Sequence, residues 1–147
     1  MSDWKEILMA AVAMTVIAQV IHTLESILTL GYYMDSAYFG LWSKIMMPTA
    51  GSPPAAFYYY SVAFALVSWA IFGFVYEKLG GAIREKQEIK KGLKFGMLVF
   101  LVAGIPTVLT MYLLINLPSG LLATWTLVQL VLYLIGGLVA AKLIKPE

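Results

Sequence analysis

Four long runs of apolar residues dominate the chain, and short polar or charged stretches separate them. The runs cover about residues 7–30, 57–76, 93–117 and 121–143. Each is close to the roughly 20 residues that a helix needs to cross a bilayer. Lipid offers no partner to unpaired backbone groups, and the short alternating segments of a β-barrel are missing from the pattern. The pattern of apolar runs therefore predicts an all-α integral membrane protein, folded as a four-helix transmembrane bundle.

The connection between the first two runs, residues 31–56, is long and rich in aromatic residues. Within it, five residues recur at the spacing of one helix face: Tyr38, Leu41, Trp42, Ile45 and Met46. Asp35 or Ser36 can cap the start of such a helix. We expect a short helix over about residues 37–47 that lies in the outer membrane interface.

The composition supports a membrane protein. Hydrophobic residues make up 61% of the 147 residues and charged residues 12%, against roughly 45–50% and about 25% in soluble domains. The expected surroundings are therefore the lipid bilayer. A net charge of +2 gives no reason to expect nucleic acid as a partner. The absence of cysteine excludes disulfides, thiolate metal sites and cysteine nucleophiles.

The distribution of Lys and Arg predicts the orientation. Six of the ten basic residues lie between Lys78 and Lys94, one (Lys5) precedes the first run, and two follow position 141. Nine therefore fall on one side, and only Lys44 falls on the other. The positive-inside rule places both termini and a basic hairpin over about residues 78–92 in the cytoplasm. We expect a multi-pass protein of the plasma or inner membrane whose first span is retained.

Polar residues in the first span recur with helical spacing. Thr15, Gln19, His22, Ser26 and Thr29 follow one another at steps of four, three, four and three residues. At about 100° per residue they share one face of a helix. Such a face is expected to meet protein or water rather than lipid, and hydrogen bonds between helices are the simplest use of its Ser, Thr and Gln members.

The two ionisable residues of this span are the leading candidates for a site. His22 and Glu25 lie one turn apart, so their side chains are within reach of each other. A charge at the centre of a bilayer costs about 2.5–3.5 kcal/mol on the insertion scale, and less near the interface. Three interpretations remain open: a working site, a structural pair, or a Glu25 carboxylate solvated from outside.

Other spans place polar groups at a similar depth. Span 4 carries Gln129 and Tyr133, and span 3 carries Thr107 and Thr110 after a helix-interior proline, Pro106. We expect these four polar residues, with Gln19, His22, Glu25 and Ser26, to line a pocket that opens outward beneath residues 32–42. The alternative is that Pro106 only kinks its helix and that the threonines satisfy the freed carbonyls.

Small residues suggest where helices approach closely. Gly92 and Gly96 form a GxxxG motif at the start of span 3, and Gly136 with Ala140 and Gly137 with Ala141 form small-xxx-small pairs in span 4. The motifs predict close helix packing, either within the chain or between protomers.

The sequence lacks the residues that several kinds of active site or cofactor site require. A single histidine cannot supply bis-histidine haem ligation, and the chain has no phosphate loop, HExxH or GxSxG motif. We expect no cofactor. A metal site would need His22, Glu25 and a third ligand such as Asp35, which the sequence leaves open.

These observations favour a transporter or a protein that binds a small solute or ion over an enzyme. The alternative is a non-catalytic accessory subunit in a larger membrane complex, with the polar face of span 1 against a partner. A third hypothesis is an intramembrane enzyme acting on a lipid or quinone, with His22 or Glu25 as base. Homo-oligomers are compatible with each of these.

Overall fold

A computed structural model describes residues 4–48 and 52–147 of the chain. This described part is all helical and contains four helices that are long and apolar enough to cross a membrane: Trp4–Leu28, Ala55–Ala82, Glu88–Leu114 and Ser119–Leu143. They confirm the number of long apolar helices that the sequence predicts, with limits shifted by a few residues. Residues 49–51 of the connection between the first two helices lie outside the described residues.

Residues 4–48 and 52–147 form six α-helices. In chain order they are α1 (Trp4–Leu28), α2 (Leu30–Met34), α3 (Ala55–Leu79), α4 (Glu88–Val99), α5 (Ile105–Leu114) and α6 (Ser119–Leu143). Helices α4 and α5 together form the third long segment. We call the end where α3 stops and α4 begins the basic end, because it carries Lys78 to Lys94. We call the other end of the bundle, where the connection between α1 and α3 lies, the opposite end.

The connection at the opposite end is helical over a shorter stretch than predicted. A 3₁₀-helix covers Ser36–Leu41, and residues 44–46 form a turn. Asp35 caps the 3₁₀-helix, because its carboxylate accepts a hydrogen bond of 2.9 Å from the backbone N–H of Ala37. The expected α-helix over 37–47 is therefore replaced by a 3₁₀-helix and a turn, which follow directly on α2.

The closest helix contact is between α4 and α6. A Cβ atom added to Gly92 would lie 2.5 Å from the carbonyl oxygen of Gly137, and one added to Gly96 would lie 2.2 Å from that of Tyr133. The two backbones touch where these residues lack side chains. The GxxxG motif thus serves packing within the chain, because its glycines admit the backbone of α6.

Aromatic side chains fill the centre of the bundle. This aromatic core consists of Trp69, Phe72, Tyr76, Phe95, Phe100 and Tyr133. Phe72 lies in the middle of it, with its ring parallel to that of Tyr133 and edge-on to those of Trp69 and Phe95. Tight packing is concentrated here and toward the basic end, whereas α5 has no buried residue.

The third long segment changes its winding before Pro106. Residues Phe100–Gly104 form a π-turn in which the N–H of Ile105 bonds back to the carbonyl of Phe100. The Thr107 hydroxyl donates to the carbonyl of Ala103 at 2.7 Å. Proline removes one backbone donor, and the π-turn and the threonine redistribute the remaining bonds, as expected for a kink in an apolar medium.

The last residues fold back across the basic end. Ile144 is buried, and the backbone N–H of Lys145 donates to the Glu6 carboxylate at 3.0 Å. The N–H of Glu147 donates to the carbonyl of Glu77 at 2.8 Å. These bonds tie the end of α6 to α1 and α3, so the helix ends are closely held on this side. The predicted hairpin over 78–92 consists of helix ends joined by a short connection.

Candidate functional site: a buried carboxylate at the opposite end

The buried face of α1 does not coincide with the predicted polar stripe. Small and apolar residues define it: Ile7, Ala10, Ala11, Met14 and Ala18. Thr15 and Glu25 share this buried face, whereas His22 is exposed. Small residues allow the backbones of α3 and α6 to approach, and this packing sets the rotation of α1. Glu25, which is not one of the five residues of the predicted stripe, is therefore part of the buried face.

Glu25 begins a short ladder of polar side chains. The Thr29 hydroxyl lies 2.7 Å from a carboxylate oxygen of Glu25 and 2.8 Å from its backbone carbonyl. Tyr33 follows one turn later, and its hydroxyl group approaches both Thr29 and Glu25. All three are buried. The steps of four residues keep these groups on one side of the chain, even though the helix is interrupted between α1 and α2.

Two tryptophans cover this ladder. The indole N–H of Trp125, near the start of α6, donates to the Tyr33 hydroxyl at 3.1 Å. The Trp42 ring packs against both, with centroids 5.0 Å from Tyr33 and 6.4 Å from Trp125. The Trp42 indole nitrogen is buried and finds no hydrogen-bond partner among the described residues. We call Glu25, Thr29, Tyr33, Trp42 and Trp125 the Glu25 cluster.

Glu25 forms no ion pair in the described part of the chain, although His22 lies near enough to interact with it electrostatically. The residue as a whole is 6% exposed. Burial raises the pKa of the Tyr33 phenol above its ordinary value, so this group keeps its proton and remains a donor. Hydroxyl groups thus supply the observed hydrogen bonds to the Glu25 carboxylate, and no ion pair neutralises it among the described residues.

His22 and Ser26 do not join the cluster. No hydrogen bond or ion pair connects His22 with Glu25 in the described part of the chain, and the His22 side chain is exposed. The Ser26 hydroxyl donates to the carbonyl of Thr23 at 2.9 Å. The spacing thus brings His22 and Glu25 within one turn but does not pair them.

Gln19 links two helices nearer the middle of the bundle. Its amide nitrogen donates to the Ser61 hydroxyl at 3.1 Å, so α1 and α3 are joined by a hydrogen bond between side chains. This contact matches the use expected of a polar side chain between helices. It supports the spacing of α1 and α3 beneath the Glu25 cluster.

The remaining predicted site residues lie in two other places. Gln129 interacts with the Tyr133 hydroxyl, and Tyr133 belongs to the aromatic core. Thr107 and Thr110 are exposed on α5, and Thr107 bonds its own helix. The structure therefore divides the predicted set among the Glu25 cluster, the Gln19–Ser61 contact, the aromatic core and the exposed face of α5.

Tyr33, Trp42 and Trp125 were not among the predicted pocket residues, although Tyr33 and Trp42 lie in the segment 32–42 that was expected to cover the pocket. The spacing Glu25–Thr29–Tyr33 was a usable signal, but it crosses the predicted end of span 1. Trp125 is 92 residues from Tyr33, and no local pattern connects them. Among the described residues, no three His, Asp or Glu side chains come together in a way that could hold a metal ion.

Comparison with known proteins gives no family for this chain. No family model matches it, and no significant similarity is found to curated proteins or to solved structures. The geometry and chemistry of the Glu25 cluster are therefore the basis for inferring a function.

Proposed function

We propose that this protein is a small membrane transporter or solute-binding protein whose site is built on Glu25 and accepts a cation. The observation that carries the proposal is the buried Glu25 side chain, whose hydrogen-bond partners are the neutral hydroxyl groups of Thr29 and Tyr33. A buried charge is costly unless it is paired, and ionisable residues in such positions are commonly part of an ion or substrate path. A bound cation supplies the missing countercharge.

The aromatic rings favour the same class of ligand. Tyr33 interacts with Glu25 and is itself packed against Trp42 and Trp125, and aromatic faces attract cations. The Thr29 and Tyr33 hydroxyl oxygens add neutral ligands. Entry requires Trp42 to move, because its ring lies over Tyr33 and Trp125. The Trp42 ring contacts Tyr33 and Trp125, and we propose that the segment that carries it acts as a cover.

We place the protein in the plasma or inner membrane with both termini in the cytoplasm and the Glu25 cluster facing outward. The distribution of basic residues supports this orientation, and the connection that carries the 3₁₀-helix then lies at the outer interface. Single cysteines are informative because the chain has none of its own. In sealed cells, Ser43→Cys is expected to react with an impermeant maleimide, and Gln87→Cys only after permeabilisation. Reaction of both from outside contradicts the four-span topology.

Loss of the Glu25 charge is expected to abolish cation binding. The test measures thermal unfolding in detergent at constant ionic strength with sodium, potassium or tetramethylammonium chloride. A saturating ligand is expected to raise the wild-type Tm by about 5 °C. Glu25→Gln keeps the shape but removes the charge, so this increase is expected to vanish.

A matched control removes a carboxylate elsewhere. Glu88→Gln is the same chemical change at the exposed start of α4, and it is expected to retain the full cation response. A response that survives in Glu25→Gln, or that Glu88→Gln removes equally, contradicts a site at Glu25. His22→Gln tests whether the neighbouring exposed imidazole changes the pH dependence of binding, because histidine titrates near neutrality.

The accessory-subunit hypothesis is favoured by one different observation. Helix α5 has no buried residue, and Leu113 is 81% exposed. Its exposed side carries the hydroxyls of Thr107 and Thr110, which suit contact with another helix. Co-purification of a stoichiometric foreign subunit that Thr110→Leu releases would support this function, whereas a chain that binds cations on its own supports transport or solute binding.

A further inference from the structure

The basic end carries more positive charge than its own acidic residues neutralise. Between positions 84 and 94 the sequence has five basic residues against two acidic ones. One pair cancels within the fold, because the Lys94 ammonium lies 3.3 Å from the Glu85 carboxylate. The other four basic residues, Arg84, Lys86, Lys90 and Lys91, form no ion pair within the described part of the chain.

These cations lie beside an exposed apolar stripe. Ile89, Leu93, Met97 and Leu101 repeat every four residues along the third long segment, and all are exposed. Ile89 is 67% exposed and lies one residue from Lys90. The stripe belongs to a helix that is long and apolar enough to cross a membrane, so lipid chains are its natural contact. Lys86 and Lys90 are then at the level of the lipid headgroups.

We infer that Arg84, Lys86, Lys90 and Lys91 form a binding surface for anionic phospholipid at the basic end, with Ile89 against the first part of the acyl chain. Charge complementarity identifies the ligand: a phosphodiester headgroup supplies the negative charge that the four side chains lack. The adjoining apolar stripe favours a lipid over a soluble phosphate. Clusters of four or more basic residues next to a membrane-crossing helix attract anionic headgroups, with a contribution of about 1 kcal/mol from each, or about a fivefold change in affinity.

The experiment is native mass spectrometry of the delipidated protein in detergent with equimolar phosphatidylglycerol and phosphatidylcholine. The wild type is expected to retain phosphatidylglycerol over phosphatidylcholine by about fivefold or more. The fourfold variant Arg84→Gln, Lys86→Gln, Lys90→Gln, Lys91→Gln is expected to bind the two lipids about equally. Equal binding of both lipids by the wild type overturns the inference.

Two further measurements test whether charge or side-chain shape determines the lipid preference, and whether the surface binds a lipid or a soluble phosphate. Exchanging Arg84 for Lys and the three lysines for Arg keeps the charge and is expected to keep the preference. Single variants Lys86→Gln and Lys90→Gln provide the test if the fourfold variant does not fold, and each is expected to lower the preference measurably. Glycerol 3-phosphate at millimolar concentration should not displace phosphatidylglycerol, and displacement would reassign the surface to soluble phosphates. The outcome is independent of cation binding at Glu25.

Discussion

Replacement of Gly96 by leucine is expected to separate α4 from α6 and to destabilise the protein by about 3 kcal/mol or more. The Cβ atom alone would lie 2.2 Å from the Tyr133 carbonyl oxygen. That oxygen belongs to the backbone of α6, so no rotamer change can make room. Helix association in lipid relies on close packing because the surrounding chains are as apolar as the helices. The loss is therefore not offset by other contacts.

The measurement is the free energy of unfolding in mixed micelles titrated with a denaturing detergent. Gly40→Leu serves as the control, because no atom lies within 4 Å of a Cβ added at Gly40. The control should unfold close to the wild type. A Gly96→Leu variant as stable as the control would show that α4 and α6 do not meet at their backbones.

Truncation of Phe72 is the second change with a large expected effect. Phe72 is 8% exposed and contacts Trp69, Phe95 and Tyr133 in the aromatic core. Phe72→Ala leaves a cavity among rings that belong to three different helices and cannot all close in. We expect a loss of about 3 kcal/mol, as for buried aromatic truncations in general.

Phe64 provides a matched control two turns earlier on α3. It is 65% exposed, so Phe64→Ala is expected to change the free energy of unfolding by no more than about 0.5 kcal/mol. Both variants should be measured in the same micelles as Gly96→Leu. Equal losses for the two phenylalanines would contradict the placement of Phe72 at the centre of the bundle.

The positions of the long helices could be predicted because chain length and hydropathy are local properties. An apolar run of about 20 residues has few ways to satisfy its backbone other than as a helix. The π-turn before Pro106 was predictable only as an irregularity. The missing donor at Pro106 is visible in the sequence, but the bond from Ile105 to Phe100 depends on how the segment winds.

The orientation of α1 could not be predicted from its polar residues. Their spacing predicts which residues share a face of the helix, but it does not predict whether that face contacts lipid, water or another helix. Ala10, Ala11 and Ala18 determine which face of α1 is buried, because they let neighbouring helices approach. Glu25 and Thr15 are buried with them, whereas His22 is exposed although its spacing puts it on the same face as Thr15. A polar stripe was the more conspicuous signal, yet the small residues determined the packing.

The Glu25 cluster was only partly predictable for a different reason. Its lower members follow from spacing along α1, whereas Trp42 and Trp125 arrive from distant parts of the chain. The GxxxG motif shows the same limit. Gly92 and Gly96 indicate a close contact, but their partner in α6 is found only when the helices are assembled.

The π-turn also divides the molecule mechanically. On the side of the basic end, α4 is held to α6 by direct contact of the two backbones. On the side of the opposite end, α5 has no buried side chain. We therefore expect α5 to tilt about Phe100–Gly104 more readily than α4 moves against α6. Such a tilt displaces the end of α5 near Leu114 the most, and this end lies at the same end of the bundle as Glu25.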